Sequence, residues 1–277
     1  MVSDVLPGRE PDAFDPWPDE RVHVEWSDLG ARLAADRGDA IVVVDVLSFS
    51  TTLTMAAERG IRCHVHSKAE LAERGGAELV AAALGAVPAA AKRDARPGQL
   101  SLSPASLREV GPEVSAALFT SLNGARAVSA AAGAAQVALG CLRNRSAVAA
   151  LVASWLGVDD RLRVTIVACG EHWSSTSRLE GLRPALEDQL GAGAIADALA
   201  ELGYAGSVEA QAAAAVFRAL GTTRFTDLVG ARELVTAGFP ADVALAAEVD
   251  VTAAVPMLSR DAGERCFIGW QPHDSEE

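Results

Sequence analysis

An α/β fold with three layers, α/β/α, around a mostly parallel sheet is predicted by three features of the sequence. Short apolar runs rich in β-branched residues recur up to about residue 170, as expected for strands buried on both faces of a sheet. Segments of helical periodicity separate these runs, which favours parallel strands joined by right-handed crossovers. Beyond residue 184 the pattern is helical until a final pair of strands. We therefore predict a C-terminal helical segment and a terminal hairpin.

Two regions follow from the order of these elements. Residues 1–20 carry four prolines and several acids, and they predict an extended acidic arm. Residues 21–277 are predicted to form the α/β unit, which the length allows to be one domain or two lobes. Within it, strands are predicted at 21–26, 41–45, 61–66, 87–92, 116–120, 136–140 and 163–170. Helices follow the first strands, and the one at 68–84 is weakened by Gly75 and Gly76. The closing helices lie within 207–250, and the hairpin turns around Asp261 to Gly263.

Composition excludes several classes of partner. The net charge is −13, the chain has two lysines, and no basic patch is interleaved with aromatics, so neither nucleic acid nor an anionic membrane surface is expected. No apolar run approaches the ~20 residues of a membrane span. The four cysteines lack CxxC spacing, which indicates buried free thiols in a reducing cytoplasm. We expect a cytoplasmic protein, and a homodimer is left open.

The loops that leave the carboxyl ends of the strands are where open α/β sheets bind ligands. These loops are 45–52, 92–105, 120–126, 140–146 and 170–183. They contain most of the Asn, Ser and Thr residues that could recognise a ligand. The sequence therefore predicts one site built from five loops at one edge of the sheet.

The first of these loops starts with Asp45, directly after a buried strand. Ser48, Ser50 and Thr51 follow, and hydroxyl side chains suit the start of a helix. The carboxylate of Asp45 would then face a helix N-terminus, whose free N–H groups favour anions. An acid that can bind a metal beside an anion cradle suits phosphate-ester chemistry, so we expect the active site here.

A second acidic site is predicted at the start of the helix that begins at Pro184. Glu187 and Asp188 fall in its first turns, and Asp188 shares the inward stripe of Ile195 and Leu199. A buried carboxylate needs a partner or a metal. Alternatively, both acids only complement the helix dipole, an effect of ~0.3–1 kcal/mol. Periodicity leaves both interpretations open.

Common nucleotide motifs are absent. Residues 191–196 match GxGxxA but lie in mid-helix, where close helix packing is the better explanation. Neither a P-loop nor the DxD pattern of phosphoaspartate-forming phosphatases occurs. Other residues in the predicted loops suit an anion, although each also has an ordinary surface or turn interpretation. They are Arg93, Arg126, Arg143, Arg145, Asn123 and Gly124.

Taken together, these loops resemble the 2-phosphosulfolactate phosphatase family over about residues 21–268. VVVDVLSFSTTLTMA resembles the opening VVIDVLRATTTI, SLSP at 101–104 the NSP element, and TSLNGARA at 120–127 the TTTNGTRA element. GCLRNRSAVA resembles GSxLNxxAVA, VTIVACG and LEDQLGAGAI resemble the IVxAG and EDxxxAGxI blocks, and residues 240–256 fit the closing segment. The residues that match the family pattern are Asp45, Ser103, Asn123, Gly124, Arg126, Asn144, Gly170, Glu187 and Asp188.

The resemblance implies a Mg²⁺-dependent phosphatase that converts 2-phosphosulfolactate to sulfolactate in coenzyme M biosynthesis. We predict that Mg²⁺ is held by Asp45, Glu187 and Asp188, which form the catalytic set. The substrate, a small phosphorylated acid, would contact helix N-terminal amides and further side chains. The residues predicted to bind the substrate are Ser48, Ser50, Thr51, Arg93, Ser103, Asn123, Gly124, Arg126, Arg143 and Asn144.

Four positions depart from the family pattern. Ser48 replaces an Arg, Lys92 a Glu, Leu102 an Asn and Leu122 a Thr. Since position 48 has lost a cation, we predict that Arg143 or Arg145 replaces it. The alternatives are a phosphatase for a different 2-phospho-acid and a non-catalytic binder of a small phosphorylated or sulfonated acid.

Overall fold

The computed structural model describes residues 20–173, 181–259 and 265–271, so the predicted arm lies outside the described residues apart from Glu20. The described ranges form a nine-stranded sheet, a two-stranded ribbon and ten α-helices. The strands are β1 (Val22–Trp26), β2 (Ala40–Val44), β3 (Arg62–His66), β4 (Val87–Pro88), β5 (Ala116–Thr120), β6 (Val137–Gly140), β7 (Val164–Ala168), β8 (Glu171–His172), β9 (Leu182–Arg183), β10 (Val255–Ser259) and β11 (Cys266–Trp270). The α-helices are α1 (Ser27–Asp36), α2 (Phe49–Glu58), α3 (Lys68–Glu73), α4 (Ala77–Ala83), α5 (Asn123–Ala130), α6 (Arg145–Val158), α7 (Leu186–Glu201), α8 (Val208–Leu220), α9 (Val229–Thr236) and α10 (Pro240–Ala246).

Strand β2 lies at the centre of the three layers. Its successive side chains point to opposite faces of the sheet. Val42 and Val44 pack in one core with residues of α6 and α7, and Ile41 and Val43 pack in a second core with residues of α1, α2 and α5. Every residue of β2 is fully buried. The predicted three-layer α/β fold with a mostly parallel sheet is therefore confirmed.

The sheet contains two parallel blocks that run in opposite directions. The strand order is β1-β7-β2-β6-β10-β11-β3-β5-β4. The first four strands are parallel to one another, and so are the last three. Between them lies the predicted terminal hairpin, β10–β11, which is antiparallel to both neighbours. The hairpin is thus confirmed, although its predicted turn lies outside the described residues.

This reversal corrects the expectation of five loops at one sheet edge. The loops after β2, β6 and β7 leave the same edge, whereas those after β4 and β5 leave strands of the opposite direction. The start of α5 nevertheless reaches the start of α2. A Cβ atom on Gly124 would lie 2.3 Å from the ring of Phe49, so the two helices begin in direct contact. The site is therefore assembled across both blocks.

Two predicted helices have different bounds in the structure. The helix expected at 68–84 divides into α3 and α4 because Gly75 and Gly76 adopt φ values of +91° and +106°, which glycine tolerates best. The long helix starts at Leu186 instead of Pro184, after an extended Ala185. The predicted C-terminal helical segment corresponds to α8, α9 and α10.

Helix α7 is buried between the sheet and α8. A Cβ atom on Gly191 would lie 2.7 Å from Val46, and one on Gly193 would lie 2.1 Å from the carbonyl oxygen of Ala213. The GxGxxA pattern thus serves close packing, as predicted. All four cysteines are buried and free, also as predicted. Among the described residues, no helix has both the length and the apolar character required to cross a membrane.

Candidate active site

Asp45 lies directly after β2, between the starts of two helices. Its Oδ1 accepts a hydrogen bond of 3.2 Å from the N–H of Phe49, the first residue of α2. Burial, and then the negative charge of Glu171, raise the pKa of Asp45 to about 7. The backbone amides of Phe49 and Gly124 and the charge of Lys92 act in the opposite direction. Asp45 is therefore a buried carboxyl whose charged form is only partly compensated.

Asp188, in the first turn of α7, joins the ends of two neighbouring strands. Its Oδ1 accepts a 2.7 Å hydrogen bond from the N–H of Val46, and its Oδ2 accepts one of 2.9 Å from the N–H of Gly170. It is only 4% exposed, as the inward stripe predicted. Burial raises the pKa of Asp188 well above its ordinary value, and the charges of Asp45 and Glu187 add to this effect. A carboxylate with two amide donors and two like-charged neighbours does more than complement a helix dipole.

Glu187 is also buried, which the inward stripe did not predict. Its side chain lies against Gly230 near the start of α9, where a Cβ atom would be only 2.0 Å from Oε1. Burial, and to a smaller degree the charge of Glu171, raise the pKa of Glu187. A side chain at position 230 would displace this carboxylate from its observed position.

Glu171 completes the acidic group, and sequence reasoning missed it. Its Oε2 accepts a 2.9 Å hydrogen bond from Nδ2 of Asn123, and its charge raises the pKa of both Asp45 and Glu187. One signal was available, because Glu171 directly follows Gly170 in a predicted site loop. Asn123, a predicted substrate ligand, thus holds an acid of the site.

These four acids, Asp45, Glu171, Glu187 and Asp188, are defined here as the acidic cluster. Among the described residues, no three His, Cys, Asp or Glu side chains converge as a ready ligand set for one ion. Mg²⁺ does not require such a set, since it is usually bound by one or two carboxylates together with water and substrate phosphate. The predicted set of Asp45, Glu187 and Asp188 does not converge in this way, but the two carboxylates of Asp45 and Asp188 fit the manner in which proteins bind Mg²⁺.

The hydroxyl groups after Asp45 stabilise the turn between β2 and α2. The Oγ of Ser50 accepts from the N–H of Asp45 at 3.0 Å and donates to the carbonyl oxygen of Val43. The Oγ1 of Thr51 donates to the carbonyl oxygen of Val46 at 2.8 Å. Both side chains are fully buried. The prediction that Ser50 and Thr51 bind substrate is therefore corrected, because their hydrogen bonds are used within the fold.

Ser48 and Ser103 belong to one hydrogen-bonded group around Lys92. The Nζ of Lys92 lies 2.6 Å from the Oγ of Ser48 and 3.0 Å from Oδ2 of Asp242. The hydroxyl of Ser103 donates to Oδ1 of the same Asp242. Positions 48 and 92, two of the four departures from the family pattern, are thus in direct contact. Sequence spacing could not show this contact, because the two residues follow strands of opposite blocks.

The two arginines predicted as substitute cations pair with carboxylates of the chain itself. Arg143 contacts Glu248 and, at 3.4 Å, Glu58. Arg145 contacts Asp250 at 2.7 Å. Both charges are neutralised within the fold, and the ammonium at Ser48 comes from Lys92. The structure therefore corrects this prediction.

Asn144 is also used within the fold. Its Oδ1 accepts from the N–H of Cys141 at 2.9 Å, and its Nδ2 donates to the carbonyl oxygen of Ala254 at 3.1 Å. Its side chain is fully buried. The predicted role in substrate binding is replaced by a structural one.

Arg93 and Arg126 lie in different clefts. Arg93 lines a cleft of about 740 Å³ together with Glu171 of the acidic cluster, Arg183 and Arg232. Arg126 lines another cleft, of about 520 Å³, whose lining includes neither Arg93 nor a member of the acidic cluster. Of these two clefts, the first connects guanidinium groups with the acidic cluster, so Arg93 is the better placed of the two predicted phosphate ligands.

Comparison with known proteins identifies the family of the chain. The sequence model of the family described as 2-phosphosulpholactate phosphatase matches residues 31–261, which is most of the chain. No curated protein matches the sequence. The matched range contains Asp45, Asp188 and the rest of the acidic cluster. The chain therefore belongs to the 2-phosphosulpholactate phosphatase family.

Proposed function

We propose that this chain is a Mg²⁺-dependent phosphatase for the phosphate monoester of a small 2-phospho-acid, 2-phosphosulfolactate or a related compound. The products are the hydroxy acid and phosphate. Membership of a phosphatase family supports the reaction class. The observation that carries the proposal is the buried pair of Asp45 and Asp188, in which Asp188 accepts a 2.7 Å hydrogen bond from the N–H of Val46, the residue after Asp45. Burial and then the charge of Asp45 raise the pKa of Asp188. A buried pair of this kind is stabilised by a bound divalent cation.

Asp45 and Asp188 are the residues that would hold Mg²⁺, with Glu187 adjacent on α7. When bound, the ion supplies positive charge to the phosphoryl oxygens during transfer. The amides of Val46 and Gly170 fix the Asp188 carboxylate. This positioning matters because a misplaced ligand reduces catalysis even when its chemistry is right.

The arginines of the cleft beside the acidic cluster are evidence for a substrate that is an anionic acid. Arg93 and Arg232 are exposed in this cleft, and Arg183 is paired with Glu233 at 2.8 Å. Guanidinium groups suit carboxylate, sulfonate and phosphate alike. In a chain with a net charge of −13, such local cations are needed to attract an anionic substrate. Under this proposal the chain acts on a free small molecule in the cytoplasm, and with 2-phosphosulfolactate it would contribute to coenzyme M biosynthesis.

The test is phosphate release from a panel of phospho-acids by the purified protein. The panel contains 2-phosphosulfolactate, 2-phospholactate and 2-phosphoglycerate, each with Mg²⁺ or with EDTA. We expect turnover of at least one compound with Mg²⁺ and its loss in EDTA. Turnover that is unaffected by EDTA would overturn the metal dependence. Binding of a panel compound without phosphate release would instead support the non-catalytic binder.

A further inference from the structure

Lys92 carries a cation that contacts the turn after β2. Its Nζ is 2.6 Å from the Oγ of Ser48, the residue before α2, and 3.0 Å from Oδ2 of Asp242 on α10. The ring centroid of Phe239 lies 5.4 Å away. The side chain of Lys92 is 18% exposed, whereas that of Asp242 is fully buried. The ammonium is therefore held in one place at the boundary between the fold and the solvent.

An ammonium has three N–H donors, and in the described part of the chain the Oγ of Ser48 occupies one of them, while Asp242 forms an ion pair with the group at 3.0 Å. The Oδ2 of Asp242 has no hydrogen-bond partner among the described residues, so the ion pair leaves donors of Lys92 available to a ligand. The negative charge of Asp242 is shared, because its Oδ1 also accepts from the hydroxyl of Ser103 and from the N–H of Ala105. These additional donors reduce the share of the Asp242 charge that neutralises Lys92.

We propose that Lys92 is an anion-binding residue of this site, which contacts a phosphoryl oxygen of the ligand while Ser48 and Asp242 fix its position. The identity of the ligand rests on the proposed function, but the anion-binding role does not require turnover. The competing explanation is an ion pair between Lys92 and Asp242 that only stabilises the fold.

The experiment measures binding of inorganic phosphate by calorimetry, without Mg²⁺, so that it does not depend on phosphatase activity. Lys92→Met removes the charge but keeps the length of the side chain. We expect affinity to fall by about ten- to a hundredfold, the effect of one charged hydrogen bond. Lys68→Met is the matched control, since it removes the chain's other lysine, an exposed residue of α3. It should leave phosphate affinity unchanged.

If Lys92→Met does not fold because Asp242 is left without its partner, two further variants still test the proposal. Asp242→Asn keeps an acceptor for Ser103 but removes the carboxylate that neutralises Lys92, so phosphate should bind more tightly than to the wild type. The double variant Lys92→Met with Asp242→Asn buries no unpaired charge and should lose affinity as Lys92→Met does.

Three results would overturn the proposal: no phosphate binding by the wild type, unchanged affinity in the double variant, or unchanged affinity in Asp242→Asn. A different result would contradict the proposed function. A wild type that binds phosphate through Lys92 but releases none from any phospho-acid supports this inference and contradicts the phosphatase.

Discussion

The carboxylate of Asp188 accepts a 2.7 Å hydrogen bond from the N–H of Val46, the residue that follows Asp45. The same carboxylate accepts a 2.9 Å hydrogen bond from Gly170 at the end of β7. One side chain on α7 thus joins the ends of two strands and lies beside the principal acid of the site. Its structural and chemical roles can be separated by comparison with Glu187, which makes neither of these bonds.

Asp188→Ala should reduce both stability and activity. It leaves two backbone amides without their acceptor, at about 1–3 kcal/mol each if they stay buried. Glu187→Ala removes neither of these two bonds and should have the smaller effect. We expect phosphate release to fall at least tenfold further in Asp188→Ala than in Glu187→Ala. Urea denaturation and initial rates measure the two effects. Equal activities in the two variants would contradict the assignment of Asp188 to the site.

Asp45→Asn should abolish turnover and change how stability depends on pH. The pKa of Asp45 is raised from 3.8 to about 7, so the folded protein keeps a proton that the unfolded chain has already lost. The resulting contribution to stability is present below pH 3.8 and is lost as pH rises through about 7. In the presence of EDTA, the Asn side chain does not titrate, so Asp45→Asn does not undergo this loss of stability. The variant should gain on the order of 1–4 kcal/mol relative to the wild type between pH 5 and pH 8.

Urea denaturation of both proteins at the two pH values measures this gain. Mg²⁺ at pH 8 should stabilise the wild type more than Asp45→Asn, because a ligand stabilises only the protein that binds it. A stability difference that stays constant from pH 5 to pH 8 would show that Asp45 does not titrate in this range.

The sequence predicted the parts of the site that depend on local pattern. Asp45 follows a β-branched run, and Asp188 lies on an inward stripe, so each could be assigned from its own segment. Glu171 and Lys92 could not, since their roles arise from contacts with Asn123 and Ser48 in other segments. Sequence spacing carries no information on such contacts when the strands belong to opposite blocks.

The fold likewise has features that local sequence pattern predicts and features that it does not. Alternating strands and helices predicted the layers, because the spacing of apolar residues within each strand or helix indicates which of its faces is buried. The reversal of strand direction at the hairpin β10–β11 was not predictable, since it depends on where the last two strands insert in the sheet. The same limit applies to the hydroxyls of Ser50 and Thr51, which suit an anion in sequence and stabilise a turn in the structure.

Gly124→Ala should disturb the contact between α2 and α5. The added methyl group would lie 2.3 Å from the buried ring of Phe49, so the ring or one of the helices must shift. We expect a loss of about 1–3 kcal/mol, the usual cost of overpacking, together with reduced activity because Asp45 lies at this contact. Gly133→Ala is the control, since its Cβ would meet nothing within 4 Å. Equal thermal stability of the two variants would refute the close contact.

Asn144→Ala should destabilise the protein without weakening phosphate binding. The side chain is fully buried and bonds both the N–H of Cys141 and the carbonyl oxygen of Ala254, so its loss leaves polar groups unpaired inside the fold. The expected reduction in the free energy of unfolding is about 1–3 kcal/mol. Phosphate affinity, measured at a temperature where the variant is folded, should equal that of the wild type. Lys92→Met should show the opposite pattern, with weakened binding as its main effect. If Asn144→Ala instead kept full stability and lost phosphate affinity, the sequence-based assignment of Asn144 to the substrate would be right and the structural role wrong.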